Sequence, residues 1–221
     1  MDLLIVEDVM LLLLDDESGS PAGAGTLHYS LGGALLVDLV LADRIEVGRK
    51  GVTVVDGPPM GDPLLDDALA KVAEKRRGVH ALLFVLGQGL TERVVERLAE
   101  RGLVRRETRK VLRLFRTTTW PAEDARHETE LRGQLRRVLV DGEQPDARAA
   151  AIISLLNAIN VLYIVLDDLP WRTVAKRASE IQKGEWVSDP ATQAVMTTNA
   201  AVIASAASVA AAAAATAATN S

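Results

Sequence analysis

The residues of this chain that are best suited to chemistry are cations, and they are concentrated between residues 93 and 116. This stretch has eight arginines and one lysine against three glutamates, in a chain whose formal net charge is −5. Guanidinium and ammonium groups at this density attract anions, such as the phosphates of lipid head groups or of nucleic acid. Because the chain as a whole is acidic, an anionic partner has to be met by this local basic segment.

The side chains used in catalysis are not arranged in a recognisable pattern. His28, His80 and His127 lie in unrelated contexts, and none belongs to a zinc-binding HExxH motif. The absence of cysteine excludes disulfides, thiolate metal sites and cysteine nucleophiles. Acidic pairs such as Asp66–Asp67 fall at helix ends, where solvated acids are common. We therefore predict no catalytic residues, no metal site and no cofactor, and expect a protein that is not an enzyme.

The composition indicates a single, mainly α-helical domain. Of the 221 residues 48% are hydrophobic and only 3% aromatic, so aliphatic side chains and alanine fill the core. This favours helices packed on helices. No charged segment precedes Leu3, which argues against a secretory signal. We expect a cytoplasmic protein, because a chain without cysteine fits a reducing compartment.

Hydrophobic periodicity and turn residues predict a helical bundle with two or more short β-hairpins. Asp62 and Pro63 are typical of a helix start, and Gly102 is typical of a helix end. The step Gly32–Gly33 is expected to open the second helix. The predicted helices cover residues 3–14, 31–42, 63–74, 79–86 and 91–101, and a polar helix ends near residue 140.

Two long apolar segments follow near the C-terminus. Residues 149–166 predict one buried central helix, in which Asn157 and Asn160 are hydrogen-bonded inside. Beyond Asp189 the chain has no charge and becomes almost pure alanine and threonine. We predict a domain over residues 1–190, followed by an Ala-rich C-terminal helix over 191–221 that is partly packed and frays at its end.

The hairpins are indicated by short alternating segments around turn residues. Arg44–Val47 and Val52–Val55 predict the first hairpin. Leu103–Arg106 and Val111–Thr118, around a turn at Glu107–Lys110, predict the second. In the second hairpin cations alternate with apolar residues, a combination that suits a membrane interface: apolar groups enter the head-group region while cations hold anionic lipid.

The candidate site residues form two sets. The candidates for binding an anionic head group are Arg93, Arg97, Arg109, Lys110, Arg113 and Arg116. The candidates for insertion into the membrane are Val111, Leu112, Leu114 and Phe115. The predicted partner is an anionic phospholipid membrane surface.

Three other interpretations of the basic segment stay open. A solvated helix with Glu–Arg pairs and an exposed structural hairpin would carry the same charges. The hairpin would also serve a protein–protein adaptor, including a module that self-associates into a homo-oligomer. Thirdly, a helix followed by a basic hairpin resembles a winged-helix nucleic-acid binder, although Glu92, Glu96 and Glu100 on the would-be recognition helix would repel phosphates.

Several segments in order resemble the Golgi phosphoprotein 3 family. They are the Leu-rich opening, an apolar helix whose Glu7–Asp8 pair is expected to face inward, and then SLGGALLVDLVLADRI, PLLDDAL, LAERGLV, LFRTTTWP and DARAAAIISLLNAINVL. The resemblance implies a mainly helical single domain with hairpins. It also implies a peripheral membrane protein that binds phosphatidylinositol 4-phosphate and attaches through an amphipathic hairpin, here Arg105–Arg116. The Ala-rich composition is similar to that of bacterial relatives.

The chain departs from the family at the positions that the resemblance assigns to the lipid head group. Members that bind the lipid have a Trp in the loop before the second helix, where this chain has only Gly and Ala around Gly23. They have an Arg at the position of Gly32, and two more at those of Gln88 and Thr91. We therefore expect little preference for phosphatidylinositol 4-phosphate over other anionic lipids.

Overall fold

The computed structural model describes residues 3–15, 18–22, 27–48, 51–111 and 115–184, together with residues 200 and 204; for residues 109–111 and 115–117 it describes the backbone only. The site candidates Leu112, Arg113 and Leu114 and the loop around Gly23 lie outside the described residues. So does the predicted Ala-rich helix over 191–221, apart from residues 200 and 204.

The described part of the chain is mainly helical with two antiparallel hairpins, as predicted. Its helices are α1 Ile5–Leu13, α2 Leu27–Leu41, α3 Pro63–Glu74, α4 Val79–Gly87, α5 Leu90–Glu100, α6 Arg126–Leu139, α7 Ala147–Ala158, α8 Leu162–Val165 and α9 Trp171–Lys183. Its strands are β1 Ile45–Gly48, β2 Gly51–Val54, β3 Glu107–Val111 and β4 Phe115–Thr119. Within this part, none of the helices has both the length and the apolar character needed to cross a bilayer.

Helix α1 lies at the centre of the fold, and all nine of its residues are buried. It packs against α2, α5, α6 and α7. Its N-terminus is capped by another helix: the backbone amides of Ile5 and Val6 donate to the carboxylate of Asp38 on α2, at 2.8 and 3.1 Å. The acids Glu7 and Asp8 are buried, as the sequence predicted.

Helices α2 and α4 cross at unusually close range because both carry glycine at the contact. A Cβ atom built on Gly32 would lie 2.3 Å from the carbonyl oxygen of Leu83, and one on Gly87 would lie 1.9 Å from that of His28. The expectation that Gly32–Gly33 opens the second helix is wrong, since α2 begins at Leu27. The glycines lie in its interior, where their missing side chains let the α4 backbone approach.

The start of α3 and the end of α5 follow local sequence rules. The Asp62 carboxylate accepts the amides of Leu64 and Leu65, and Pro63 occupies the first helical position, as predicted. Gly102 follows α5 with a positive φ of 72°, a conformation that favours glycine. These local signals confirm both predicted helix boundaries.

The predicted strand boundaries of the second hairpin are wrong. The structure pairs Glu107–Val111 with Phe115–Thr119, so the predicted turn at residues 107–110 is part of strand β3. The segment after Gly102 has other partners: Val104 forms an isolated bridge with Ala122, and the Arg105 amide donates to the Pro121 carbonyl. These contacts hold the base of the hairpin, so the segment predicted as its first strand is not part of the paired ladder.

The prediction of one buried helix over 149–166 is confirmed only for its first part. Helix α7 ends at Ala158, Asn160 adopts a left-handed conformation with a φ of 56°, and the short α8 follows. Asn160 is exposed, so its predicted burial is wrong, because Asn tolerates this conformation and ends the helix there. Asn157 is half-buried and donates to the Gln182 side chain at 2.9 Å.

Candidate functional site

The hairpin β3–β4 holds five of the predicted site residues that the structure describes. Its register places Lys110 opposite Arg116 and Val111 opposite Phe115, while Arg109 is opposite Thr117. Neighbouring register positions alternate between the two faces of a hairpin. The Lys110–Arg116 position and the Val111–Phe115 position therefore belong to opposite faces, and the Arg109–Thr117 position shares the face of Val111 and Phe115.

The base of the hairpin is anchored to the domain by side chains that the sequence did not single out for this purpose. Arg105 pairs with Glu107 at 2.8 Å and donates to the Ala122 carbonyl at 3.0 Å. The Arg106 guanidinium lies 5.7 Å from the centre of the Trp120 ring, a cation–π distance. The Trp120 amide donates to the Gly19 carbonyl, which ties the end of β4 to the segment between α1 and α2.

The other two predicted head-group residues, Arg93 and Arg97, lie on α5 and point toward acids. Arg97 donates to both oxygens of Asp62, at 3.0 and 2.7 Å, and to Glu7 at 3.1 Å. Arg93 donates to Asp67 at 2.6 Å. An anion that approaches Arg97 would therefore compete with two carboxylates that already hold it.

The pKa of Asp62 shows how strong this pairing is. Burial raises the pKa of Asp62, but the Arg97 guanidinium and the amides of Leu64 and Leu65 outweigh burial and lower it below its usual range. Burial lowers the pKa of Arg97, but the carboxylates of Asp62 and Glu7 outweigh burial and raise it above its usual range. Both groups stay charged in the folded protein near neutral pH.

A cleft of about 510 Å³ lies beside these ion pairs, between the start of α3 and the arginine face of α5. Three arginines line it, and so do three acids, so the charges in its wall balance. Its charged lining residues are Asp62, Arg93, Glu96, Arg97, Glu100 and Arg101. The cleft is charged but not strongly positive, unlike a site built to concentrate phosphate.

The three family head-group positions described by the structure cannot supply cations. Gly32 faces the α4 backbone at a distance that excludes any side chain, an arginine above all. Gln88 is exposed at the end of α4, and Thr91 is half-buried in the first turn of α5. The close crossing of α2 and α4 thus gives a physical reason why Gly32 differs from the family pattern.

Sequence reasoning missed a second charge cluster, in which Asp8 is held from two helices. Arg148 on α7 donates to Asp8 at 2.9 Å and to the Leu3 carbonyl, and the His127 ring on α6 lies 2.8 Å from the other Asp8 oxygen. Arg148 is the only cation between residues 147 and 166. A single arginine in an otherwise apolar segment could have indicated that it pairs with a buried acid. Within the described residues no cluster of His, Asp and Glu is suited to hold a metal ion.

Asp38 is the most perturbed carboxyl group of the described residues. Burial raises its pKa to about 7, against the lowering effect of the Ile5 and Val6 amides and of the Arg148 charge. The group caps α1 from inside the core and lies away from solvent. Its perturbed pKa therefore has a structural origin.

Comparison with known proteins agrees with this architecture. Residues 5–198 match the sequence model of the Golgi phosphoprotein 3 (GPP34) family, and the chain belongs to that family. It is also similar to vacuolar protein sorting-associated protein 74 of Eremothecium gossypii, with 27% identity over 164 residues. That alignment covers 62% of this chain and 49% of the relative, so the chain matches about half the length of that protein.

Proposed function

We propose that this chain is a non-enzymatic peripheral membrane protein that binds anionic lipid through the hairpin β3–β4. The observation that carries the proposal is the hairpin register, which separates the position of Lys110 and Arg116 from that of Val111 and Phe115. A hairpin that carries a basic pair on one face and, on the other, an apolar pair beside Arg109 adsorbs to an anionic bilayer by two additive effects. Cations attract the lipid, at about 1 kcal/mol each, and apolar groups leave water.

Membership of the Golgi phosphoprotein 3 family and the resemblance to a protein named for vacuolar protein sorting support a role at membranes. In this proposal the protein acts at the cytoplasmic side. The lipid is recognised by its negative charge, with little preference for phosphatidylinositol 4-phosphate, because Gly32 is closed off by α4 and neither Gln88 nor Thr91 is a cation.

The exposed face of α5 weighs against a nucleic-acid binder. Glu92, Glu96 and Glu100 are exposed on this helix, whereas Arg97 is held by Glu7 and Asp62. A recognition helix with this charge distribution would turn carboxylates toward phosphates. The adaptor and self-association alternatives use the same hairpin and are separated from lipid binding by experiment.

The test is co-sedimentation with vesicles of phosphatidylcholine, alone or with phosphatidylserine or phosphatidylinositol 4-phosphate at equal charge. One variant replaces Leu114 and Phe115 by Ser, and another replaces Arg109, Lys110 and Arg113 by Ser. Both are expected to lose binding to anionic vesicles, and salt is expected to weaken wild-type binding, since the Debye length falls to about 3 Å at 1 M.

The matched control replaces three exposed cations elsewhere, Arg126, Arg136 and Lys176, by Ser. It changes the net charge by the same amount and is expected to bind nearly as wild type does. Equal loss in control and hairpin variants would mean that overall charge, and not the hairpin, governs binding. If the Leu114/Phe115 variant loses only self-association, the self-association alternative replaces the proposal.

A further inference from the structure

A second surface of the molecule combines exposed aromatic rings with a lack of charge. His28 and Tyr29 at the start of α2 and His80 and Phe84 on α4 form what we call the aromatic patch. Ring centres are 6.0 Å apart for His28 and Phe84, 6.1 Å for Tyr29 and Phe84, and 6.3 Å for Tyr29 and His80. The Phe84 side chain is 46% exposed in a chain with only two phenylalanines.

The solvent-facing side of α4 has no charged residue. Its exposed or half-exposed positions include His80, Ala81, Phe84 and Gln88, and the whole stretch from 78 to 90 lacks Asp, Glu, Lys and Arg. Burial lowers the pKa of His28, which keeps that ring neutral near pH 7. An exposed helix face that is apolar and aromatic is unfavourable in water and indicates a binding surface.

The segment that leads into the helix of the aromatic patch is basic. Lys75 and Arg76 lie between α3 and α4, are exposed, and form no ion pair within 4.0 Å among the described residues. The nearest acid along the chain, Glu74, pairs with Arg77 at 3.5 Å. Aromatic rings with free cations on the same segment complement an anionic bilayer, where rings settle at the head-group level and cations meet lipid phosphates.

A second group of exposed aromatic residues provides the contrast. Tyr163 and Trp171 have ring centres 5.8 Å apart, and Ile164 beside them is 45% exposed, close to the value for Phe84. However, Asp167 and Asp168 are exposed next to this group. Asp168 pairs with Arg136 at 3.0 Å, and Arg172 is exposed beside Trp171, so the charges near this group balance. Comparable apolar exposure is therefore found here without an excess of cations.

We propose that the aromatic patch is a second membrane-contact surface, which inserts Phe84 into the interfacial region of an anionic bilayer while Lys75 and Arg76 contact its head groups. This inference rests on the proposed function, since it requires that the protein meets membranes. It adds a contact that does not depend on the hairpin β3–β4.

The cysteine-free chain allows a direct test by single-site labelling. An environment-sensitive fluorophore is attached to Ala81→Cys, beside Phe84 on the exposed side of α4, and in the control to Thr173→Cys, exposed on α9. With phosphatidylcholine–phosphatidylserine vesicles the label at residue 81 is expected to shift to shorter wavelength and to be quenched by nitroxide lipids. The label at residue 173 is expected to do neither.

A substitution series measures the contribution of the ring. Phe84→Ser is expected to lower the vesicle partition coefficient about five- to tenfold, since roughly half of the side chain is available for transfer. Phe84→Leu, which remains apolar, is expected to retain most binding. Ile164→Ser, the matched control, is expected to have no effect. Equal binding by Phe84→Ser and wild type, with unchanged melting temperatures, would overturn the inference.

Failure of the inference is distinguishable from failure of the proposed function. If the protein sediments with vesicles but the label at residue 81 stays in water, the second contact is absent while the hairpin proposal stands. If wild type does not sediment with anionic vesicles, both the proposed function and this inference are wrong. A wavelength shift that depends on protein concentration without vesicles would assign the aromatic patch to a second copy of the chain and overturn the inference.

Discussion

Helices α2 and α5 each lead into a β-hairpin, but different forces hold them in the fold. Helix α2 is buried along most of its length and meets α4 through Gly32 and Gly87. Helix α5 buries one apolar side, and its arginines bind acids of other segments, such as Glu7 and Asp62. The same local order of helix and hairpin is thus fixed by shape in one half and by charge in the other.

The difference predicts opposite sensitivities. A close helix crossing has no room for added volume, but its contribution to stability does not depend on salt. An ion-pair network tolerates changes of volume at its edge but depends on every charge being matched. Substitutions in the two regions are therefore expected to differ in the size of their effect and in their response to pH and salt.

The largest effect is expected at the glycine crossing. Gly87→Ala places a methyl group 1.9 Å from the His28 carbonyl oxygen, so α2 and α4 have to separate, at a cost of about 3 kcal/mol or more. The measurement is the free energy of unfolding in urea. Gly133→Ala on α6 is the control, because its Cβ would meet nothing closer than 3.7 Å. It is expected to stabilise the helix by about 0.5–1 kcal/mol. Equal stability of wild type and Gly87→Ala would refute the shape-based half of the comparison.

The next effect in size is expected at Glu7, the acid that α5 shares with the core. Its side chain is buried, accepts from Arg97 at 3.1 Å and forms an ion pair with Arg101 at 3.0 Å. Glu7→Gln keeps the shape but leaves two guanidinium groups short of a charge partner, so we expect a loss of about 2–3 kcal/mol. Glu96→Gln, exposed on α5, should change stability by less than about 0.5 kcal/mol. Similar losses of stability for Glu7→Gln and Glu96→Gln would show that the ion-pair network adds little to the free energy of unfolding.

The pH dependence of stability should have opposite signs for the two regions. Asp38 has a folded-state pKa of about 7, above its unfolded value of 3.8, so its contribution is complete below pH 4 and is lost as the pH rises toward 7. The pKa of Asp62 is lowered, so its contribution is present above pH 4 and is lost as the pH falls below that value.

Urea titrations between pH 3 and pH 8 measure both contributions. Asp38→Asn is expected to remove a decline in stability between about pH 4 and pH 7, whose slope for one proton is at most about 1.4 kcal/mol per pH unit. Asp62→Asn is expected to reduce the loss of stability below pH 4 and to leave the pH dependence of stability above pH 4 unchanged. A pH profile of Asp38→Asn that is parallel to wild type would contradict the assignment.

The smallest effect is expected at the exposed edge of the charged region. Arg93 and Asp67 are 41% and 42% exposed, so water screens their 2.6 Å pair. A double-mutant cycle of Arg93→Ala and Asp67→Ala should give a coupling free energy of about 0.2–1 kcal/mol, reduced further at 1 M salt. A coupling free energy above about 2 kcal/mol that does not change with salt would show that this pair behaves like the buried ion pairs.

The sequence allowed good prediction wherever structure depends on neighbouring residues. The start of α3 at Asp62 and Pro63 and the end of α5 at Gly102 follow from backbone hydrogen bonding and φ preferences within a few residues. The buried position of Glu7 and Asp8 follows from their place inside an apolar helix. The mainly helical fold with two hairpins was also predicted and is confirmed.

The features that depend on distant residues were not predictable in the same way. The strand boundaries of β3 and β4 depend on Val104 and Arg105 finding Ala122 and Pro121, which no local pattern specifies. The glycine crossing requires α4 to be next to α2. The candidate head-group residues on the hairpin were chosen by charge density and by their alternation with apolar residues, and their role stays a prediction.

The partners of α1 have a consequence for how the protein is made. Arg148 follows Asp8 by 140 residues, and Arg97 follows Glu7 by 90. At a synthesis rate of about 5–20 residues per second, Asp8 waits roughly 7–28 s for its arginine. During that time helix α1 has already been made, while the segments that bury it and that pair with Asp8 have not all been synthesised. We therefore expect the nascent chain to need chaperones while these carboxylates lack their partners.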